Sequence, residues 1–583
     1  MQVHHEIVVL GLSLLLAWKL ARQGVHCPGW LIGRSLGPLS GRPRLAVFAV
    51  GWFGFVLAAA IGLSWGIPSP ATHDEFAYLL GADTFAQGRL TNVPHPFWQH
   101  FESMHIIQQP SYQMKYPPAQ SLFLAAGQLL TGEPMVGVWI TVGLASSALC
   151  WMLQAYLPLR WAVYGSVLIT LRLCGGHWAL TCWGGAVAAF AGALLFGGVR
   201  RFADRPQASL MMIMSLGIGL LANSRPFEGL IVCIPAGFIL LRTLWLTNGS
   251  RLKLLFGQML IPAAVVLIPI AGAMACYNQA VTGDWKKLPY RLHDETYVAV
   301  PTFLFQKPLE KPPVYRHKEM AEYYGEWERI RWEEKSRGYG LNKSYATKVW
   351  GFFRFFVGLT FLAPLIALRK LKTDWWTQYL IGVCTLLMTA MTQTLYLFPH
   401  YVAPIWCVIS ALEIRGMRSL QCWRPRGVHF GPWWLGCISI SCLMSALFPV
   451  LQPLWTSPRT HILRLQMERQ LESIPGDDLV FVQYEPGHNV HNEWVYNRAS
   501  IDRSPVVWAR QISPAADARL KEYFSGRQVW LAVVDEKIVR LKPLSSPGFP
   551  LPPASPDSPP GSQSAPRLIS SAVVEQGEIV MRQ

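Results

Sequence analysis

Charged residues are scarce in this chain: Asp, Glu, Lys and Arg make up 15% of its 583 residues, against roughly 25% in an average soluble domain. Acidic residues are scarcer still, 34 against 51 Lys and Arg. Cysteine pairing is missing too. Of the 11 cysteines, nine fall in apolar runs (150, 174, 182, 233, 276, 384, 407, 437, 442) and two, at 27 and 422, in basic loops. The long polar segments therefore fold without disulfides, and no CxxC or Cys/His cluster points to zinc or redox chemistry. There is no Walker pattern, and the Gly-rich run 175–198 lies in apolar sequence, where glycine serves close helix packing. With 51% hydrophobic and 12% aromatic residues, disorder and collagen-like repetition are excluded as well.

What is present is apolar length. Mean hydropathy is +0.25, and about twelve apolar runs, from 7–21 to 433–454, are long enough to cross or nearly cross a bilayer. The first run lacks a basic leader and is followed by cations, which suits a signal-anchor span. The net charge of +17 would fit a nucleic-acid partner, but its location excludes one. Short connections between the apolar runs carry 19 Lys and Arg against Asp204, Asp374 and Glu413, a balance of +16, while the long polar stretches are nearly neutral. That is the positive-inside pattern of a membrane protein, not a nucleic-acid groove.

The expected fold is an all-α polytopic membrane protein of about 12 transmembrane helices with a small soluble α/β domain at its C-terminus. Its parts are an N-terminal span and basic cytoplasmic loop (1–44), a transmembrane domain (45–454) with outer loops 68–134 and 278–349, an extracytoplasmic α/β domain (455–543), and a Pro/Ser-rich, largely disordered tail (544–583). Short helices are expected over 119–130, at the membrane interface, and over 319–335; strands over 479–484, 506–509 and 529–534, and a helix over 514–523, build the C-terminal domain.

The loop 68–134 holds the residues best suited to chemistry. Asp74 and Glu75 follow a strong span by a few residues, where a carboxylate can serve as general base or hold a divalent cation against a phosphate. The bland alternative is an N-cap by Thr72 or Asp74. Lys115, before Tyr116-Pro117-Pro118, is placed to bind a lipid phosphate or merely to snorkel. His73, His95, His100, Glu102 and His105 lie in the same loop.

The order of apolar span, Asp-Glu at the start of the first outer loop, a Lys-(x)-Pro-Pro element, many spans and a soluble C-terminus resembles the GT-C membrane glycosyltransferases. The branch it is most similar to holds protein O-mannosyltransferases and the lipid A aminoarabinose transferase, glycosyltransferase family 39 type. HDEFAYLLGADTFAQGRL and KYPPAQSLFL carry the likeness, which is specific over about 45–135. The resemblance implies sugar transfer from a polyprenyl-phosphate donor to an extracytoplasmic acceptor, on the outer face of a bacterial inner membrane, with inversion. It implies Asp74 as the acceptor-activating base or metal-side carboxylate, Glu75 as its partner and Lys115 as a donor-phosphate contact. His73, His105, Tyr116 and Glu228 are substrate-binding candidates beside them. No cofactor is required; a divalent cation is compatible, with Asp74 as its ligand. Trp183-Gly184-Gly185, the segment 223–229 and the segment 277–283 are similar to further bacterial members of this architecture.

Arg225 and Glu228 sit at the outer end of short spans; Arg225 is a second phosphate contact, or the two form an i, i+3 pair. Arg172 is expected to snorkel. His488, His491 and Glu493 have a spacing that can hold a metal but fits a hydrogen-bonded turn better. The rival function is a transporter or flippase of a lipid-linked or anionic substrate, which would show an internal repeat; none is visible. A scaffold that only anchors its C-terminal domain would not need so many spans.

Overall fold

The computed structural model describes residues 10–17, 19, 39, 41–64, 66–247, 249–336, 346–424, 430–451, 462–535, 538–544, 573–575 and 578–582. The basic segment 20–38 and most of the Pro/Ser-rich tail lie outside the described residues, together with the expectations placed on them.

The helices that organise the chain are α1 (Pro43–Ser64), α2 (His73–Ala86), α3 (Ala119–Thr131), α4 (Met135–Tyr156), α5 (Leu159–Cys174), α6 (Gly185–Asp204), α7 (Ala208–Ala222), α8 (Pro226–Leu246) and α9 (Arg251–Thr282). After these come α10 (Pro289–Tyr297), α11 (Glu328–Ser336), α12 (Trp375–Thr392), α13 (Trp406–Gln421), α14 (Phe430–Leu451), α15 (Ile462–Glu472) and α16 (Pro514–Tyr523). α1, α8 and α10 begin on proline, whose fixed φ suits a first turn and whose missing N–H costs nothing there.

Six helices, α1, α4, α6, α8, α9 and α14, are long and apolar enough to cross a membrane, and the chain is a multi-pass membrane protein. About twelve such runs are expected from sequence. Several of the others are short: α5 and α13 have 16 residues each and α7 has 15, below the roughly 20 of a straight span. In the apolar windows of α4 and α6, 72% of residues are buried, against 11% in α9, so the first two form the centre and α9 the rim. Close packing explains the Gly-rich run. A Cβ added at Gly192 would come within 1.9 Å of the Pro404 carbonyl oxygen.

Two expectations about charge are corrected inside this bundle. Arg172 does not snorkel: its Nη1 lies 3.4 Å from Glu413 Oε1, with its guanidinium 4.6 Å from the Phe361 ring. Glu413, counted above among loop acids, is buried on α13. Two charges in an apolar bundle persist because they pair.

The C-terminal region forms a sheet of order β4-β3-β5-β6-β8-β7 from β3 (Asp478–Tyr484), β4 (Val506–Arg510), β5 (Gln528–Val534), β6 (Ile538–Pro543), β7 (Val573–Glu575) and β8 (Glu578–Arg582). β3 pairs in parallel with β4 and β5, and the remaining pairs are antiparallel. α16 crosses between the parallel strands β4 and β5, as such a connection requires. β7 and β8 fall within 544–583.

The sheet rests on the first polar loop. His100 Nδ1 lies 2.8 Å from the Arg510 carbonyl, His95 Nε2 lies 2.9 Å from Asp502, and the Ala499 amide donates to Asp83 at 2.8 Å. Arg510 is the hub. It donates to the Glu102 carbonyl (2.7 Å), Glu319 (3.0 Å) and Glu493 (2.5 Å), joining three separate polar segments.

Candidate active site

Within the first polar loop, β1 (Ile106–Ile107) and β2 (Gln113–Met114) pair antiparallel, with Ile106 opposite Met114. Continuing that register by one residue places His105 against Lys115, whose amide donates to the His105 carbonyl at 3.1 Å. The long His-rich stretch 94–113 is therefore a folded excursion that returns Lys115-Tyr116 to the start of α2. His105 itself has φ +65°, the left-handed region in which His is enriched among non-glycine residues. Behind Tyr116, Pro117-Pro118 lead into α3, and the Ala119 amide donates to the Asn223 carbonyl at 3.0 Å, drawing Arg225 toward the same place.

The acidic pair is divided. Glu75 Oε2 accepts from the Ala71 amide (2.9 Å), and Oε1 accepts from the Cys182 amide (3.0 Å). Glu75 is thus a buried tether of the α2 N-terminus to the 182–184 turn, close in kind to a capping box. Burial pushes its carboxyl up to about 7, against the pull of those amides. Thr72 is the N-cap residue but its side chain does not cap; its hydroxyl accepts from Trp183 Nε1 at 2.8 Å.

Asp74 points the other way and keeps 37% of its side-chain surface accessible. Its Oδ1 accepts from the Tyr116 hydroxyl and lies 3.5 Å from His105 Nδ1. Tyr116 has one proton to give, so it donates to Asp74 and accepts from His105 Nδ1–H at 2.9 Å. His105 Nε2 then accepts from the Tyr323 hydroxyl at 3.4 Å. Burial and the nearby Lys115 charge push His105 down to about 4, leaving the ring neutral near pH 7. Burial opposes charge on Asp74 as well, but His105, the Tyr116 hydroxyl and the Lys115 ammonium hold its carboxyl well below the usual range. The result is an ionised carboxylate, fixed by a phenol and open on one side.

Two buried cations border this space. Lys115 has no ion pair or hydrogen-bonded side-chain partner among the described residues; its Nζ faces the rings of Tyr116 at 5.5 Å and Tyr290 at 5.6 Å. Burial presses its ammonium downward, while Asp294, Asp74 and Glu328 favour the charge. Arg225 donates to the Trp183 carbonyl at 3.2 Å and stacks on Tyr401 at 4.9 Å. It makes no ion pair with Glu228 among the described residues, so the i, i+3 alternative is not realised, although both are buried. Charge from Asp74 and Arg225 reaches the same Tyr78, Tyr290 and Tyr401, so both lie near one group of tyrosines.

His73 turns toward the C-terminal region. Its Nδ1 meets the Tyr496 hydroxyl at 2.7 Å, and its ring packs near His105, Tyr323 and His491. Burial, with His105 and His491 nearby, pushes it down to about 3. It lines a separate groove of about 380 Å³ with Phe76, Arg464 and Trp508. Asp74 does not line that groove, and Arg464 there is committed to Glu468 and to the Trp494 and Tyr496 carbonyls.

The described residues contain no group of three His, Cys, Asp or Glu that could hold a metal. Around Asp74 the neighbours are a phenol, an imidazole N–H and an ammonium, all donors, and this set does not fit a divalent cation. In the C-terminal loop His488 Nε2 bonds the Asn492 carbonyl (2.9 Å) and Glu493 is taken by Arg510, so the turn prevails over the metal reading.

Sequence reasoning did not reach Tyr78, Tyr290, His293, Tyr323, Tyr401 and Glu328. A Tyr or His beside a predicted span end, as in Pro399-His400-Tyr401, was the available signal.

No family model matches the chain, and no curated protein matches it. Among solved structures it is similar to ArnT from Cupriavidus metallidurans, at 12% identity and TM-score 0.41 over 84% of this chain and 94% of that one. It is also similar to the Archaeoglobus fulgidus oligosaccharyltransferase in complex with Zn and sulfate, at 12% identity and TM-score 0.39 over 83% of this chain and 67% of that one. The same archaeal enzyme, AglB, in complex with an inhibitory peptide and a dolichol-phosphate, aligns at 10% identity and TM-score 0.35 over 84% and 69%. Superpositions of this depth assign no residue role here.

Proposed function

We propose that this chain is a membrane glycosyltransferase that moves a sugar from a polyprenyl-phosphate donor to an extracytoplasmic acceptor. The observation that carries the reading is an accessible, ionised Asp74 with two buried cations near it, Lys115 and Arg225, neither of which makes an ion pair among the described residues. Leaving a buried cation unpaired is expensive, and an incoming anion relieves the cost.

In this mechanism the donor phosphate lies against Lys115 and Arg225. Asp74 accepts a hydrogen bond from the acceptor hydroxyl or amine and takes its proton as the nucleophile attacks the anomeric carbon. The bond from that carbon to the phosphate oxygen breaks, and its electron pair leaves with the phosphate, where the two cations stabilise it. A carboxylate held so far below the usual range is a weak base, so orientation of the nucleophile is its larger contribution. Tyr116 and His105 fix Asp74, Glu75 anchors the helix beneath it, and Glu228 lies beside the phosphate-side cation. The reading goes with about twelve spans in a bacterial inner membrane, the polar loops and the C-terminal α/β domain on the outer face, and the domain limits given above.

The test is sugar release from a panel of radiolabelled polyprenyl-phosphate sugars in membranes, wild type against Asp74→Asn at equal expression. Turnover should fall about 100- to 1,000-fold in the variant. Equal turnover would remove Asp74 from the chemistry, and wild-type silence with every donor would bring the transporter reading forward.

A further inference from the structure

At the end of the bundle away from Asp74 and Arg225, arginines from three helices converge on the first turn of α12. Arg200 of α6 holds its guanidinium carbon 4.5 Å from the centre of the Trp376 ring, and Arg242 of α8 lies 5.3 Å from that of Trp375. Arg415 of α13 pairs with Asp374 at 2.7 Å and donates to the Thr377 hydroxyl at 3.1 Å. Beside them Arg201 stacks on Trp151 at 4.2 Å and donates to its carbonyl at 2.6 Å. Arg200 is matched by Asp204 and Arg415 by Asp374. Arg242 is exposed and makes no ion pair or hydrogen bond among the described residues. With Lys372, also exposed and two residues before Asp374, the patch sets five cations against two acids.

Depth and surroundings say what fits there. The length of α8 from Arg225 to Arg242 is about 26 Å at 1.5 Å per residue, close to the thickness of a bilayer's hydrocarbon core. Trp375, 42% exposed, therefore lies at the opposite membrane boundary, the level at which tryptophan collects. Preceding Arg242 at four-residue steps on one face of α8 are Phe238 and Ile234, both more than half exposed. A soluble phosphate gains nothing from that apolar stripe, whereas an acyl chain does. An arginine that only snorkels reaches away from the protein into water; Arg242 instead lies against a ring of a neighbouring helix with its N–H groups unspent. We propose that this corner between α8 and α12 binds the headgroup of an anionic phospholipid. The phosphodiester lies on Arg242, Arg200 and Lys372 add positive field, and an acyl chain runs along Phe238 and Ile234. A guanidinium suits the task because it stacks on an indole and still donates two parallel hydrogen bonds to a phosphate. The site is remote from the transfer chemistry and does not rest on that reading.

The test titrates the full chain in a mild detergent with phosphatidylglycerol or phosphatidylcholine of identical acyl chains and counts bound lipid by native mass spectrometry. Wild type should hold phosphatidylglycerol about fivefold more tightly than phosphatidylcholine, whose headgroup has no net charge. Arg242→Gln should lower the phosphatidylglycerol affinity about fivefold and leave that for phosphatidylcholine unchanged. Arg160→Gln is the control. It removes an exposed cation at the same end of the bundle, where the Tyr156 carbonyl accepts from Arg415, but on α5, which contributes nothing to the patch, and it should change neither affinity. Trp375→Leu takes away the ring under Arg242 without altering charge and should lower phosphatidylglycerol affinity about two- to fivefold, so the test stands even if Arg242→Gln does not fold. No lipid preference in wild type, equal losses in Arg242→Gln and Arg160→Gln, or an unaltered affinity in Trp375→Leu overturns the site and leaves a diffuse positive face. Displacement of phosphatidylglycerol by glycerol 3-phosphate as effectively as by the lipid itself overturns the lipid assignment in favour of a soluble phosphate.

Discussion

Where the first polar loop meets the sheet, its buried charges are matched: Glu102 accepts from Tyr297 (2.9 Å) and lies 3.3 Å from both Arg316 and His317, His95 meets Asp502, and His100 meets a carbonyl of β4. On the side toward α8 and α10, Lys115 and Arg225 make no ion pair among the described residues, and Asp74, though it accepts from Tyr116, stays partly accessible. The same residue types, a few positions apart, do opposite work. A buried charge with its partners in place fixes one segment to another, and a buried charge without them marks where a ligand completes the site.

The matched side can be broken at its hub. Arg510 gives three hydrogen bonds to three polar segments, and Arg510→Ala leaves Glu493 buried beside an empty place. Removing one member of such a network costs about 3–5 kcal/mol. Denaturant unfolding in detergent should show that loss; a change below about 1 kcal/mol would mean the network is no stronger than a surface pair.

The unmatched side should respond in the reverse sense. Lys115→Met removes a buried charge that makes no ion pair among the described residues and keeps an apolar stem against Tyr116 and Tyr290. Stability should hold or rise, while the donor KM rises about 10- to 100-fold, equivalent to about 1.4–2.7 kcal/mol. A destabilised protein with unaltered donor KM would show that Lys115 belongs with the anchoring charges.

How much of this was legible is clearest in the acidic pair. Span, Asp-Glu and Lys-Tyr-Pro-Pro were readable as local patterns, and β3, β4 and β5 of the C-terminal sheet fell at or within a residue of their expected limits because alternation and β-branching are local signals, while β6, β7 and β8 were not foreseen. The division of labour between Asp74 and Glu75 was not readable. It depends on the Cys182 amide, more than a hundred residues away, taking one carboxylate, and on the return of Tyr116 to the other. Tyr290, Tyr401 and Glu328 were hidden for the same reason: they stand far apart in sequence, on α10, in the segment before α13 and on α11, and no local pattern joins them. The pairing of Arg172 with Glu413 likewise joins two helices far apart in sequence.

Histidine at the boundary between the two sides offers the finest discrimination. His105 is buried and pushed from 6.5 to about 4, so the folded state binds its proton less readily than the unfolded chain does. Its contribution to stability is therefore complete above about 6.5 and is lost as pH falls toward 4. Between pH 6.5 and 5 the loss is about 2 kcal/mol, at ~1.4 kcal/mol per unit. Asp74, held well below its ordinary range, stays ionised across that window and does not mask the effect. His105→Asn suits the left-handed backbone at φ +65° and carries no titrating ring. Unfolding free energies of the two proteins, measured from pH 7 down to 5, should converge by about 2 kcal/mol. Parallel curves would mean that His105 is already charged when folded. That would make it the partner that neutralises Asp74, and move this residue from the unmatched side of the loop to the matched one.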